Sequence, residues 1–305
     1  MLNNNSLLKG VFLVGFGAAS YGMLATFVKL AYQDTSSQGL NYTPAEIILA
    51  QFIIGILVIL GINVFQKNKK GAEFIKATPM DIKKLMLVGT STGLTSIFYY
   101  MAVKFIPVSI GIVLLMQTVW MGVVLEMFLE KKIPSKIKVI AVVIVLFGTG
   151  LATNLFSSSL DLDWRGVVLG LCAAASFTTT MFAANKVALT ISAAQRSLYM
   201  LLGGIVVVLI FTFITQKTPF NFDIFYKWGL LIALFGTVIP PLLLNAGFPL
   251  TGIGLGSIVS ALELPVSVMM AFFILNETVV MTQWLGITLI IMAIVLMNVK
   301  FKKQL

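Results

Sequence analysis

The chain has 305 residues, 59% of them apolar and only 10% charged, against roughly 45–50% and about 25% in ordinary soluble domains. Crossing a hydrocarbon core of about 30 Å takes about 20 helical residues, so ten crossings would consume about 200 residues and leave only loops and tails. Histidine is absent and cysteine occurs once, at Cys172, which excludes His/Cys metal sites, Ser-His-Asp triads and CxxC redox pairs. No G-K dipeptide is present, hence no Walker A loop, and no G-D, which removes the usual intramembrane aspartyl protease signature. No enzyme activity and no cofactor are expected. The formal charge of +10 is assigned to cytoplasmic loops rather than to nucleic-acid binding.

Apolar runs fall at about residues 9–32, 46–65, 85–104, 108–128, 137–156, 165–184, 197–215, 228–247, 254–275 and 284–299. They read as ten transmembrane helices of an all-α polytopic membrane protein. With the N-terminus inside, 16 of the 21 basic residues fall on inner segments, including Lys67, Lys69, Lys70, Lys131, Lys132, Lys136, Lys138, Arg196, Lys300, Lys302 and Lys303. The positive-inside rule then places both termini in the cytoplasm, in a cell (inner) membrane. The first run is too long for a signal-peptide core and is expected to stay.

An internal repeat organises the chain. Lys9-Gly10-Val11-Phe12-Leu13 and Ala18-Ala19-Ser20-Tyr21 recur 156 positions later as Arg165-Gly166-Val167-Val168-Leu169 and Ala174-Ala175-Ser176-Phe177. Glu130, ending the fourth run, is matched 147 positions later by Glu277, ending the ninth. Residues 1–156 and 157–305 are therefore expected to be two five-helix repeats of one membrane domain. Because five is odd, the second is inverted in the membrane, the arrangement that lets one half rock against the other around a midplane cavity.

The stretch Gly236-Thr237-Val238-Ile239-Pro240-Pro241-Leu242-Leu243-Leu244-Asn245, then Ser257 through Glu263-Leu264-Pro265, then Asn276-Glu277 and Gln283-Trp284-Leu285-Gly286, resembles the EamA family of the drug/metabolite transporter superfamily. The resemblance implies ten helices in two inverted repeats, and a substrate among amino acids or similar metabolites, often exported. Where the second half has Glu263-Leu264-Pro265, the first has Met116-Gln117-Thr118, without the proline that many first repeats of the family carry near there.

Glu263 falls near the bilayer centre, where an ionised side chain usually faces a cavity or a partner. It is the candidate for substrate binding and proton coupling, and the competing reading has it pin a kink. Pro265 frees a carbonyl near Ala261, and Pro240 and Pro241 break the eighth helix; all three are candidates for helix breaks or gating. Asn245, after that break, would bind substrate or cap freed carbonyls. Gln117 and Trp120 lie one turn apart and would both face the central space, though Gln also bonds neighbouring helices and Trp also packs. Of Tyr99 and Tyr100, about 100° apart, Tyr99 is favoured for the cavity. Lys29 would snorkel to the interface or pair with Glu46, and Gln51 is read as a packing residue. Ser20, Ser176, Gly89 and Gly93 would permit close helix approach, and Gly252, Gly254 and Gly256 form a hinge in preference to a phosphate cradle. Glu126 would pair with Lys131, Lys132 or Lys136, and Glu130 and Glu277 would cap connecting turns.

The expected activity is secondary transport of a small, amphipathic, amino-acid-like solute by alternating access, with proton coupling through Glu263 and export as the direction the family suggests. A flippase for a lipid-linked substrate is the alternative. Expected partners are the solute, the lipid bilayer and protons; the short connections suit a monomer and the glycine faces a homodimer.

Overall fold

The computed structural model describes residues 4–301 apart from 38, 69–74, 103, 107, 154–162 and 277. Glu277, Lys69, Lys70, Lys302, Lys303 and the expected repeat boundary at 156–157 lie outside the described residues. Helices form at every apolar run: α1 (Asn4–Gln33), α2 (Pro44–Asn68), α3 (Pro79–Ala102), α4 (Val108–Leu115), α5 (Thr118–Glu130), α6 (Lys136–Ala152), α7 (Trp164–Lys186), α8 (Ala193–Thr215), α9 (Leu230–Ala233), α10 (Ile239–Thr251), α11 (Ile253–Ser260), α12 (Glu263–Leu275) and α13 (Met281–Phe301). The fourth run is divided into α4 and α5 and the ninth into α11 and α12, while in the eighth a π-helical turn at Phe225–Gly229 leads into α9 and a second at Leu234–Val238 joins α9 to α10. Among the described residues ten helical segments result, and seven are long and apolar enough to cross a membrane. Of the others, α3 carries Asp81, Lys83 and Lys84 at its start, α6 has 17 residues, and α13 is apolar over Met281–Leu296.

Local chemistry sets the helix ends. Thr43 and Glu46 form a reciprocal capping box at α2, the Glu46 carboxylate accepting from the Thr43 amide at 2.7 Å and the Thr43 hydroxyl accepting from the Glu46 amide at 3.2 Å. Thr78 and Asp81 do the same for α3. Ser135, Asp163 and Ser192 accept from backbone amides at the starts of α6, α7 and α8. At the other end, Lys131 and Asn276 close α5 and α12 with φ of 52° and 53°. Glu130 is thus the last residue of α5, and the cap of α6 is Ser135; the expectation that Glu130 caps the next turn is corrected.

The principal helix pairings map onto one another when the two halves are exchanged. The first segment packs on the eighth as the sixth packs on the third (α1 on α10, α7 on α3). The second meets the seventh (α2 on α8), the fourth the ninth (α5 on α11) and the fifth the tenth (α6 on α13), each pair being its own counterpart. The tightest seam is α3 against α8, where a Cβ on Gly203 would overlap the Met86 carbonyl and one on Gly89 the Met200 carbonyl. Gly89 and Gly93 therefore serve packing within the chain. Gly203→Val would force the two backbones apart, and a loss of about 3 kcal/mol or more is expected, read as a lower midpoint of thermal unfolding in detergent.

Candidate functional site

The helices enclose a cavity of about 650 Å³ lined mainly by apolar and phenolic side chains, with Lys29, Lys104, Gln51, Asn245 and Glu263 among them. α1 gives its depth scale at about 1.5 Å per residue. Gly10 abuts Leu250 and Thr251, Gly17 abuts Leu243 and Leu244, Gly22 abuts Glu263 and Val266, and Leu24 reaches Gly236. Asn245 therefore lies deepest, toward the lysine-rich end; Glu263 lies about two turns higher, and Lys29 about 10 Å higher again. Tyr32, Tyr42 and Lys104 share the upper part.

Both helix breaks are tight turns. In the ninth segment the Ala261 and Leu262 amides donate to Ile258 and Val259, three residues back. Pro265 has no amide to offer the Ala261 carbonyl, and the Leu264 amide takes it at 3.2 Å. Glu263 emerges at this turn as the first residue of α12 and lines the cavity, and among the described residues its carboxylate accepts no hydrogen bond. The fourth segment breaks at the matching place without a proline. There the Gln117 amide shifts to the Leu114 carbonyl at 3.1 Å, and the Gln117 side chain donates to the Val113 carbonyl so vacated, at 3.0 Å. Its Oε1 accepts from the Trp120 indole at 2.9 Å. Gln117 and Trp120 do not line the cavity, and Trp120 is 38% exposed on the outer surface. The expectation that the two face the central space is corrected, because mending the break turns Gln117 back along its own helix.

The eighth segment is not unwound after Pro240 and Pro241. Those residues open α10 directly after the π-helical turn, and Asn245 sits inside a continuous helix. The break that matters for Asn245 is Pro249, which the sequence reading passed over. Pro249 cannot donate to the carbonyl four residues back, and the Arg196 guanidinium takes the Asn245 carbonyl instead, at 2.6 Å. Arg196 is 2% exposed and also donates to the carbonyls of Val187, Ala183 and Ala184 at the end of α7, where the helix dipole favours a cation. The Asn245 side chain donates to the Ser197 hydroxyl at 2.9 Å, and its Oδ1 is buried without a partner among the described residues.

Tyr99 lines the cavity, as does Tyr100, with rings 6.2 Å apart; Tyr21 stands edge-on to Phe177. Tyr21 and Tyr99 lie within electrostatic range of Glu263. Gln51, read from sequence as a packing residue, also lines the cavity and is 2% exposed, its Oε1 without a partner among the described residues. Its signal was an amide inside an apolar run, which does not distinguish packing from cavity. The Glu46 carboxylate is committed to Thr43, Gln216 and Asn221. Glu126 pairs with Lys138, correcting the lysines expected for it.

Outside the helices, Asp34 accepts from the Trp228 indole at 2.8 Å and lies 3.7 Å from Lys227. The Trp228 N–H holds the Asp34 carboxyl below its ordinary value of 3.8; desolvation opposes this, and the Thr35 amide and Lys227 add to it. A depressed carboxyl contributes stability above the unfolded value and loses it as pH falls through the folded one. Trp228 fluorescence is therefore expected to hold steady from neutrality to about pH 4 and to change only below. For Arg196→Met, the orphaned carbonyls predict a loss on the order of 3 kcal/mol. Adding Pro249→Ala restores a donor to Asn245, so the double variant should unfold at a higher temperature than additivity predicts, as a thermal double-mutant cycle would measure.

No curated protein matches the chain. A solved chain described only as the crystal structure of a protein superposes with a TM-score of 0.74 at 13% identity, covering 94% of this chain and 96% of that one, which shows a shared fold alone. The model of the EamA-like transporter family matches twice, over residues 8–154 and 164–299. With one match in each half and apolar helices throughout, the chain is a multi-pass membrane protein that belongs to the EamA-like transporter family.

Proposed function

We propose that the protein is a secondary carrier that moves a small amphipathic, amino-acid-like solute across a cell membrane by alternating access. On this reading all ten segments cross the bilayer as two inverted five-helix repeats, with both termini cytoplasmic. The exchange symmetry of the packing supports this, because inverted halves meet around a midplane site through matched pairs of helices. The observation that carries the reading is a carboxylate, Glu263, that accepts no hydrogen bond among the described residues and stands at a helix break in the wall of a cavity of about 650 Å³. A cavity of that size suits a small metabolite, and its phenolic walls suit an apolar body.

Glu263 is assigned to the solute's cationic group and to proton coupling, since one acid cannot hold both at once and must exchange them. Tyr99 and Asn245 are assigned to the rest of the solute, and Pro240, Pro241 and Pro265 to the bending that exposes the cavity to each side in turn. Gln117 and Trp120 carry no substrate role in this assignment.

The test is uptake of a mixed metabolite pool by proteoliposomes, read by mass spectrometry with and without a pH gradient. Wild type should accumulate particular solutes with the gradient, and Glu263→Gln should lose that dependence while remaining folded. If Glu263→Gln follows the gradient like wild type, the proton assignment fails. If folded wild type moves no soluble metabolite, the substrate is sought among lipid-linked molecules, as a flippase would require.

A further inference from the structure

The two broken segments behave differently above and below their breaks. Above, Ile112 and Leu115 of α4 and Leu264, Ser267 and Val268 of α12 all line the cavity. Below, α5 and α11 are shut against one another. A Cβ on Gly122 would come within 2.6 Å of the Ser257 hydroxyl, and Ser257, fully buried, donates to the Val119 carbonyl at 3.2 Å. The cavity therefore ends where these helices meet, on the lysine-rich side.

Among the described residues one charged contact crosses this closed seam. The Glu126 carboxylate of α5 accepts from the Gly254 amide of α11 at 3.1 Å and pairs through its other oxygen with Lys138 of α6. Gly252, at φ 76°, opens α11 and offers no side-chain cap, so the start of that helix presents bare amides and the positive end of its dipole. The glycines make room for the acid: a Cβ on Gly254 would lie within 2.9 Å of the Glu126 carboxyl carbon, and one on Gly252 within 3.0 Å of its Oε1. The glycine pattern that resembles an anion cradle is filled by a carboxylate of the same chain.

We propose that Glu126 is the latch of the cytoplasmic gate, a proposal that rests on the carrier reading above. Opening the cavity toward the lysine-rich side requires α5 and α11 to part. That separation strips the carboxylate from the Gly254 amide, leaving it with Lys138 on the hairpin α5–α6, while α11 leaves with α10. The latch thus holds the cavity closed below while it is accessible above, and its strength sets the balance between the two states.

The test uses two reporters in a Cys172→Ser background: Val119→Cys in the closed seam and Ser96→Cys in the cavity. Each is labelled with a bulky maleimide in detergent, with and without Glu126→Ala. Loss of a charge-assisted hydrogen bond and an ion pair should raise the labelling rate of Val119→Cys about tenfold and lower that of Ser96→Cys. Gly254→Ala, which expels the carboxylate without removing it, should act in the same direction, and Glu126→Gln, which keeps an acceptor for the amide, should fall between. An acid that merely caps a helix would, on removal, leave both rates unchanged or raise both together; either result overturns the proposal, for whichever of the two alanine variants elutes as a folded monodisperse species. The carrier reading stands or falls separately, on wild-type solute uptake. Uptake with unmoved labelling rejects the latch alone.

Discussion

A helix interrupted inside a bilayer has no water to satisfy the carbonyls it frees, so each break must be mended from within the protein. Three mends govern this fold. At the fourth segment the Gln117 side chain returns to Val113; at the ninth the Leu264 amide moves up to Ala261; at the eighth a buried arginine from α8 fills the carbonyl that Pro249 leaves empty. The cavity follows from these choices. Across the breaks, α5 and α11 stay in contact while α4 and α12 line the cavity, and Glu263 is delivered to the wall at the turn itself. The arginine fixes the floor by tying α10 to the end of α7, with Asn185 adding a bond to the Phe248 carbonyl at 2.6 Å.

Close packing supplies what polar bonds do not. Between helices in lipid, attraction comes chiefly from surface fit and from a few hydrogen bonds. The α3–α8 seam brings glycine against backbone at Gly89, Gly93, Gly203 and Gly204, and the hydroxyls of Ser91 and Thr180 meet at 2.7 Å between α3 and α7. The glycine faces that in sequence could serve a second copy of the chain are occupied, at these positions, by its own helices. Away from the lysine-rich end, the Asp34, Lys227 and Asp223 cluster ties the first connection to the start of the eighth segment.

The number and order of helical segments were legible in the sequence because apolar runs bounded by charges survive any detail of packing. The matching starts at Gly10 and Gly166 were legible for the same reason. Which face of each helix meets the cavity was not, since amphipathic asymmetry is weak when lipid and core are both apolar. That is why Gln51 passed for a packing residue and Gln117 for a lining one. Pro249 was hidden for another reason: its consequence lies on a different helix, where Arg196 looks like one more cytoplasmic cation. Glu126 was misassigned among three nearby lysines, because sequence proximity says little about which member of a basic cluster folds back onto a given carboxylate.

The two mended breaks of the paired segments are not mechanically equal. In the ninth, the missing donor is covalent fact, and no rearrangement of side chains restores a straight helix at Pro265. In the fourth, the interruption is spanned by side chains, Gln117 bonding the Val113 carbonyl and the Trp120 indole and Thr118 bonding Thr178. The halves of this protein therefore pair a break built on a proline with one built on side-chain bonds. A substitution at Gln117 would alter one joint and leave the proline of its counterpart in place, so two halves that share a packing plan can diverge at a single residue.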